Sequence, residues 1–165
     1  MKLNVCDLLN QENSRREIDY LLDLSGMEAY GGHPFFSPVH ITGELINRAG
    51  ITTLHIDAAV SLHLACDRCA DEFDREFIVP IDYVLVQTLA NGEDEDGYLL
   101  VDGDEIDLDE LCTTEILLAL PTKLLCKEDC AGICPDCGKN LNREACTCDK
   151  RYENPQFEAL KKLIE

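Results

Sequence analysis

The chain has no tryptophan and little positive charge. Fourteen lysines and arginines stand against 33 aspartates and glutamates, for a net charge of -19 over 165 residues. This shortage of cations excludes the simplest kind of nucleic-acid binder, whose phosphate affinity rests on counterion release by a Lys/Arg surface. It disfavours anionic membrane surfaces for the same reason. No apolar run approaches the roughly 20 residues that span a bilayer. The opening stretch, Met1 to Asp19, lacks the apolar core of a secretory leader, so a cytoplasmic chain is expected. Phosphate-cradling glycine loops, nucleophile elbows and dinucleotide fingerprints are also missing. No enzyme and no small-molecule substrate are therefore expected.

What is present is typical of a globular protein: 45% hydrophobic and 28% charged residues. The length suits one ordinary domain and is short for two. A domain of this size buries roughly 70% of its unfolded surface and can fold without staples. Charge is unevenly spread. Residues 1–120 hold 25 acids and 6 bases, while residues 121–165 hold 8 of each. Between Arg75 and Lys123 there is no cation, and the stretch carries Glu93, Asp94, Glu95 and Asp96 followed by six more acids up to Glu110. Such a run is a solvated loop or a docking face for a basic partner. It lacks the ligand alternation and glycine of a calcium loop.

Thr53 to Cys66 alternates, with Leu54, Ile56, Ala58, Val60, Leu62 and Leu64 on one face, the pattern of a half-buried strand. Val39 to Ile46 reads as its antiparallel neighbour through the turn Asn47-Arg48-Ala49-Gly50. Phe73 to Leu85 alternates again, and Pro80 on its polar face suggests an edge or bulge. Met1–Val5, Glu17–Leu24 and Tyr98–Val101 are further candidate strands. Asp107 reads as the N-cap of a helix ending at Pro121, with Leu108, Leu111, Ile116, Leu117 and Leu120 on its buried side. Asn154 and Pro155 open a last helix with a Phe157, Leu160, Ile164 stripe. The expected architecture is α+β: an antiparallel sheet or meander with one packed helix, a cysteine-rich zinc module and a C-terminal helix. The expected divisions are an acidic body over 1–120, the module packed on it over 121–150, and the helix over 151–165.

Ten cysteines in a reducing compartment read as metal ligands before disulfides. Cys66-Asp67-Arg68-Cys69 joins two strands. A redox dithiol has the same spacing, but it opens a helix in a βαβ unit and avoids acids, unlike this pair. Cys134-Pro135-Asp136-Cys137-Gly138 has the form of a zinc-knuckle turn, and Cys146-Thr147-Cys148 can close the same tetrahedral site. Cys126 and Cys130 remain, and with Cys66 and Cys69 they make a second tetrathiolate set. All-sulfur ligation suits two structural Zn2+ ions, ahead of an iron–sulfur cluster, and leaves no open position for hydrolytic chemistry. Cys6 and Cys112 read as small core residues. His40, His55 and His63 read as surface polar residues on strands rather than as ligands or bases.

Taken together, Cys66-Asp-Arg-Cys69 on a strand turn, the helix end Leu118-Ala119-Leu120-Pro121, and the tail Cys126-Lys-Glu-Asp-Cys130-Ala-Gly-Ile-Cys134-Pro-Asp-Cys137-Gly-Lys-Asn-Leu-Asn142 resemble the YceD family over nearly the whole chain. These bacterial and plastid proteins are linked to accumulation of large-subunit ribosomal RNA, and their bacterial gene often neighbours that of a small basic ribosomal protein. The resemblance implies a role in ribosomal RNA processing or large-subunit assembly without established enzymatic activity. Members lacking the four-cysteine tail cluster imply that Cys134, Cys137, Cys146 and Cys148 form an added staple, and that the set with Cys66 and Cys69 is nearer the common core.

Two functional readings follow. In the first, the acidic body holds a basic ribosomal protein, and opposite charge speeds capture. In the second, the neutral tail binds pre-ribosomal RNA through Lys139 and Arg143, helped by Lys123, Lys127, Lys150 and Arg151. Its only aromatics are Tyr152 and Phe157, so stacking platforms are scarce. A thiol redox role at Cys66 and Cys69 is a third reading, which tight metal binding by both thiols excludes.

Overall fold

The computed structural model describes residues 1–6, 11–88, 97–101 and 103–148. In chain order the elements are β1 (Lys2–Asn4), β2 (Arg15–Leu22), β3 (Val39–Arg48), β4 (Ile51–Ala65), β5 (Glu72–Val86), β6 (Tyr98–Leu100), β7 (Glu105–Asp107) and α1 (Leu108–Ala119). The acidic run Glu93–Asp96 and the helix expected from Asn154 lie outside the described residues. The chain divides into two compact units, Met1–Leu64 with Glu72–Leu124, and Ala65–Asp71 with Leu125–Glu165.

The first unit is α+β. Its main sheet has the order β2-β3-β4-β5-β6, and β1 pairs with β7 in a separate two-stranded sheet. Alternation builds the core. Leu54, Ile56, Ala58, Val60, Leu62 and Leu64 of β4 are all buried, as are Val39, Ile41 and Leu45 of β3 and Val79, Ile81 and Leu85 of β5. The β3–β4 hairpin closes through Ala49 and Gly50, at φ 52° and 82°. Two positive φ values in a two-residue loop make the type I′ geometry that matches strand twist. At Gly43 the strands approach so closely that a Cβ would overlap the His55 carbonyl oxygen and lie 2.8 Å from Ile56 Cα. Only glycine fits there.

Three expectations need correction. The sheet is not purely antiparallel, because β6 pairs with β5 in parallel, Val84 opposite Tyr98. A two-residue hairpin would force antiparallel pairing, but the connection from Val86 to Tyr98 is long enough to return the chain to the same end. Since β6 reaches only Val84–Val86, the part of β5 holding Pro80 meets no strand on that side among the described residues. On α1 the buried positions are Leu108, Cys112 and Ile116, a clean i, i+4, i+8 row, whereas Leu117 is exposed. Cys112 is in the core, as its reading as a small core residue expected. It sits under Tyr20, whose hydroxyl lies 4.0 Å from the sulfur. Cys6 is only half-buried and joins no core. Asp107 caps α1 as expected, its Oδ1 accepting from the Asp109 and Glu110 N–H groups.

Candidate metal centres

The second unit is assembled around sulfur. Cys66, Cys69, Cys126 and Cys130 form one quartet and Cys134, Cys137, Cys146 and Cys148 another, with the Sγ atoms of each quartet within 4.8 Å of one another. In the first quartet Cys66–Cys130 and Cys69–Cys126 are each 3.7 Å apart. In the second Cys137–Cys146 is 3.5 Å and Cys134–Cys146 is 3.4 Å. A zinc ion with Zn–S bonds of about 2.3 Å places its sulfurs about 3.8 Å apart. A disulfide would bring two of them to about 2.05 Å. The thiols are spaced as tetrahedral ligands and not as disulfide partners.

Both Cys-x-x-Cys turns have one backbone design. Gly138 N–H donates to the Cys134 carbonyl at 2.9 Å, and Cys134 N–H donates to the Lys139 carbonyl at 2.8 Å. At the other turn Ala70 N–H donates to the Cys66 carbonyl at 2.9 Å, and Cys66 N–H to the Asp71 carbonyl at 2.9 Å. Gly138 and Ala70 both take positive φ, 72° and 58°. Glycine announces this geometry at the first turn, whereas at the second an alanine hides it.

The turns aim N–H groups at sulfur. Burial pushes the Cys66 thiol up, but N–H groups of Cys126, Arg68 and Cys69 outweigh it and bring it down to about 6. Cys134 is held down to about 7 by the N–H groups of Cys137 and Asp136. Their neighbours move the other way. An N–H from Asp71 lowers Cys69, yet burial and the thiols of Cys66, Cys126 and Cys130 push it up to about 12. Hydrogen bonding to Cys146 and Cys137 raises Cys148 to about 12. Burial raises Cys126. Each quartet thus has one thiol held low and others that burial and hydrogen bonding among the sulfurs hold high, a resistance to full deprotonation. A divalent cation among the four sulfurs removes that resistance.

Outer contacts that composition could not reveal hold this arrangement. Arg68 Nη1 donates to the Cys130 carbonyl at 2.9 Å. Asn142 Nδ2 donates to Cys130 Sγ at 3.3 Å. Asn140 Nδ2 donates to Asp71 Oδ2 at 2.8 Å, and Arg143 pairs with Asp71 Oδ1 at 3.1 Å. Gly132, at φ 76°, passes so near the hairpin tip that a Cβ would lie 3.0 Å from the Arg68 carbonyl oxygen. No sequence signal marks Asn140, Asn142 or Asp71 beyond the frequency of Asn and Asp in turns.

A model of the family described as large ribosomal RNA subunit accumulation protein YceD matches residues 53–164, a stretch that holds all eight of these thiols. The chain belongs to the YceD family. Within the curated proteins it is 24% identical, over 181 aligned positions, to the large ribosomal RNA subunit accumulation protein YCED homolog 1, chloroplastic, of Zea mays. That alignment covers 91% of this chain, and the chain spans 61% of the length of the maize protein. No solved structure matches it. For a YceD protein, then, the two cysteine quartets are groups that could hold metal ions. No helix among the described residues is long and apolar enough to cross a membrane.

The remaining candidate residues fall into two groups. Lys139 and Arg143 lie in the second unit, 3.6 Å from Glu144 and 3.1 Å from Asp71 respectively. The strand histidines are exposed, and each meets an aspartate of the next strand: His40 with Asp19 at 2.8 Å, His55 with Asp82 at 2.6 Å, and His63 with Asp74 at 2.7 Å. The Asp74 carboxylate raises the His63 pKa.

Proposed function

We propose that this YceD protein is a non-enzymatic factor in large-subunit ribosomal RNA accumulation. It binds a basic large-subunit ribosomal protein on its acidic unit, while two structural zinc ions hold its cysteine unit. The observation that carries the partner reading is the outer face of the five-stranded sheet. Glu17 and Asp19 of β2, Asp57 of β4, and Asp74 and Asp82 of β5 are all exposed there. Arg15 on the same face is engaged by Glu17 at 3.4 Å. A face with an excess of acids over cations attracts a basic partner and disfavours RNA phosphates. Direct binding of pre-ribosomal RNA by the cysteine unit has less support. Lys127, Lys139 and Arg143 each meet a carboxylate, at 3.8, 3.6 and 3.1 Å, so the patch carries little net charge.

Cys66, Cys69, Cys126 and Cys130 would hold one zinc, and Cys134, Cys137, Cys146 and Cys148 the other. Four thiolates fill a tetrahedral shell, so the metal would supply folding energy and no activated water. A Cys66–Cys69 redox role is disfavoured because both thiols are buried beside two further cysteines. The test is a crosslinked pull-down of the tagged protein from its own cells, with and without ribonuclease. A basic large-subunit protein retained after ribonuclease supports the reading. Loss of every large-subunit partner with the RNA overturns it and moves the contact to RNA.

A further inference from the structure

The loop that joins the two halves of the second quartet does not stay with that quartet. It runs from Gly138 to Ala145, between Cys137 and Cys146, and its side chains reach the first quartet. Asn142 is the centre of this arrangement. Its backbone N–H donates to Asn140 Oδ1 at 2.9 Å, and its Oδ1 accepts from Ala131 N–H at 2.9 Å. Its Nδ2 donates to Asn140 Oδ1 at 3.1 Å and to Cys130 Sγ at 3.3 Å. Asn140 in turn donates to Asp71, two residues beyond Cys69. Leu141 N–H donates to the Gly132 carbonyl at 2.8 Å, and Gly132 abuts Arg68 between Cys66 and Cys69.

We infer that Asn142, positioned by Asn140, couples the two thiol quartets, so that metal in the second quartet strengthens metal binding in the first. The inference rests on the zinc reading above. A short loop anchored at both ends by metal ligands loses most of its freedom when the metal binds. The ordering cost of presenting the Asn142 N–H to Cys130 is then already met. That N–H stabilises a thiolate more than a thiol, because a hydrogen bond to a charged acceptor is the stronger kind. Outer partners of metal ligands typically contribute about 10–100-fold in metal affinity. Coupling between sites is reciprocal, so the first metal favours the second by the same factor.

The test is competitive titration of the full chain with Zn2+ against a chromophoric chelator, together with Co2+, whose thiolate absorption counts occupied tetrathiolate sites. The native chain is expected to take two ions per molecule with positive cooperativity. Cys137→Ser/Cys146→Ser is expected to keep one ion and hold it about tenfold or more weakly than the native first site. Asn142→Ala is expected to take two ions at saturation, with the first quartet weakened about tenfold and cooperativity gone. Glu144→Gln, in the same loop with an exposed side chain, is expected to titrate like the native chain. Far-UV circular dichroism of each loaded variant separates a folding defect from a coupling defect. Two ions in the native chain with native affinity in both Cys137→Ser/Cys146→Ser and Asn142→Ala overturn the coupling and leave the zinc reading standing. Fewer than two ions in the native chain overturn both.

Discussion

With zinc in both quartets as proposed, its removal should unmake the cysteine unit and spare the sheet. Among the described residues of that unit, the only buried hydrophobic side chains are Cys66, Cys69, Cys130 and Cys134, at 2–6% exposure. Its one isoleucine there, Ile133, is 49% exposed. Among the described residues of the unit no leucine, valine or aromatic side chain is buried. Structural zinc in thiolate sites carries an apparent binding free energy of about 10–16 kcal/mol per ion. Whole domains are stable by only about 5–15 kcal/mol. Losing both ions therefore removes more than the unit can hold by hydrogen bonds, which contribute about 1 kcal/mol each. The first unit keeps its own core of Leu, Ile and Val from β2 to β5 and α1. The assay is amide hydrogen exchange before and after chelation, with zinc counted by elemental analysis. The amides of Cys134, Gly138 and Leu141, hydrogen-bonded in this structure, should approach unstructured exchange rates. The amides of β3 and β4 should stay protected. Protection of those three amides by more than about 100-fold after complete metal removal would refute the reasoning, since about 2.7 kcal/mol would then come from elsewhere. Cys69→Ser should show half the effect, with one ion lost and the segment from Cys126 to Cys130 loosened.

Four smaller predictions follow from the first unit. Ala49→Asn should stabilise the chain by about 1 kcal/mol in urea unfolding, because asparagine tolerates the positive φ that alanine resists. Gly43→Ala should cost about 2 kcal/mol or more, since its Cβ meets backbone that cannot give way, and an unchanged midpoint would rule out the close approach. Asp107→Ala should lower the melting temperature at neutral pH. Backbone N–H groups of Glu110 and Asp109, acting against burial, hold its carboxyl below the usual range. Its contribution is therefore present above the ordinary carboxylate pKa and lost as pH falls through the lowered value, so native and variant melting temperatures should converge in acid. Asp74→Asn should bring the His63 titration, followed by NMR, back down. With the folded pKa raised, that pair helps below the ordinary histidine value and its help disappears as pH rises through the raised one.

Much of the sheet was legible because strand periodicity is local. The β4 alternation named its six buried residues correctly, and Asn47 to Gly50 carried the hairpin chemistry. The knuckle spacing around Gly138 suggested which thiols go together, but only the fold brings Cys66 and Cys69 beside Cys126 and Cys130, because spacing does not record proximity between distant segments. The buried side of α1 was read less well. Cys112 was read correctly as a core residue, but Leu117, placed on the buried face by residue type, is exposed.

The sequence by itself determined the strand faces, the cap at Asp107, the acidic balance and the sulfur count, since each follows from residue type and short-range spacing. Only the tertiary structure decided the parallel pairing of β6, because a three-residue strand encodes no direction of its own. It alone showed that the Cys66–Asp71 tip belongs to the cysteine unit although its neighbours in sequence belong to the sheet. The hydrogen bonds from Asn142 to the Cys130 sulfur and from Asn140 to Asp71 were also its decision. Asn142 lies 12 residues from Cys130, and Asn140 lies 69 from Asp71. Hydrogen bonds over such separations depend on where the folded backbone brings donor and acceptor, and no local pattern records that.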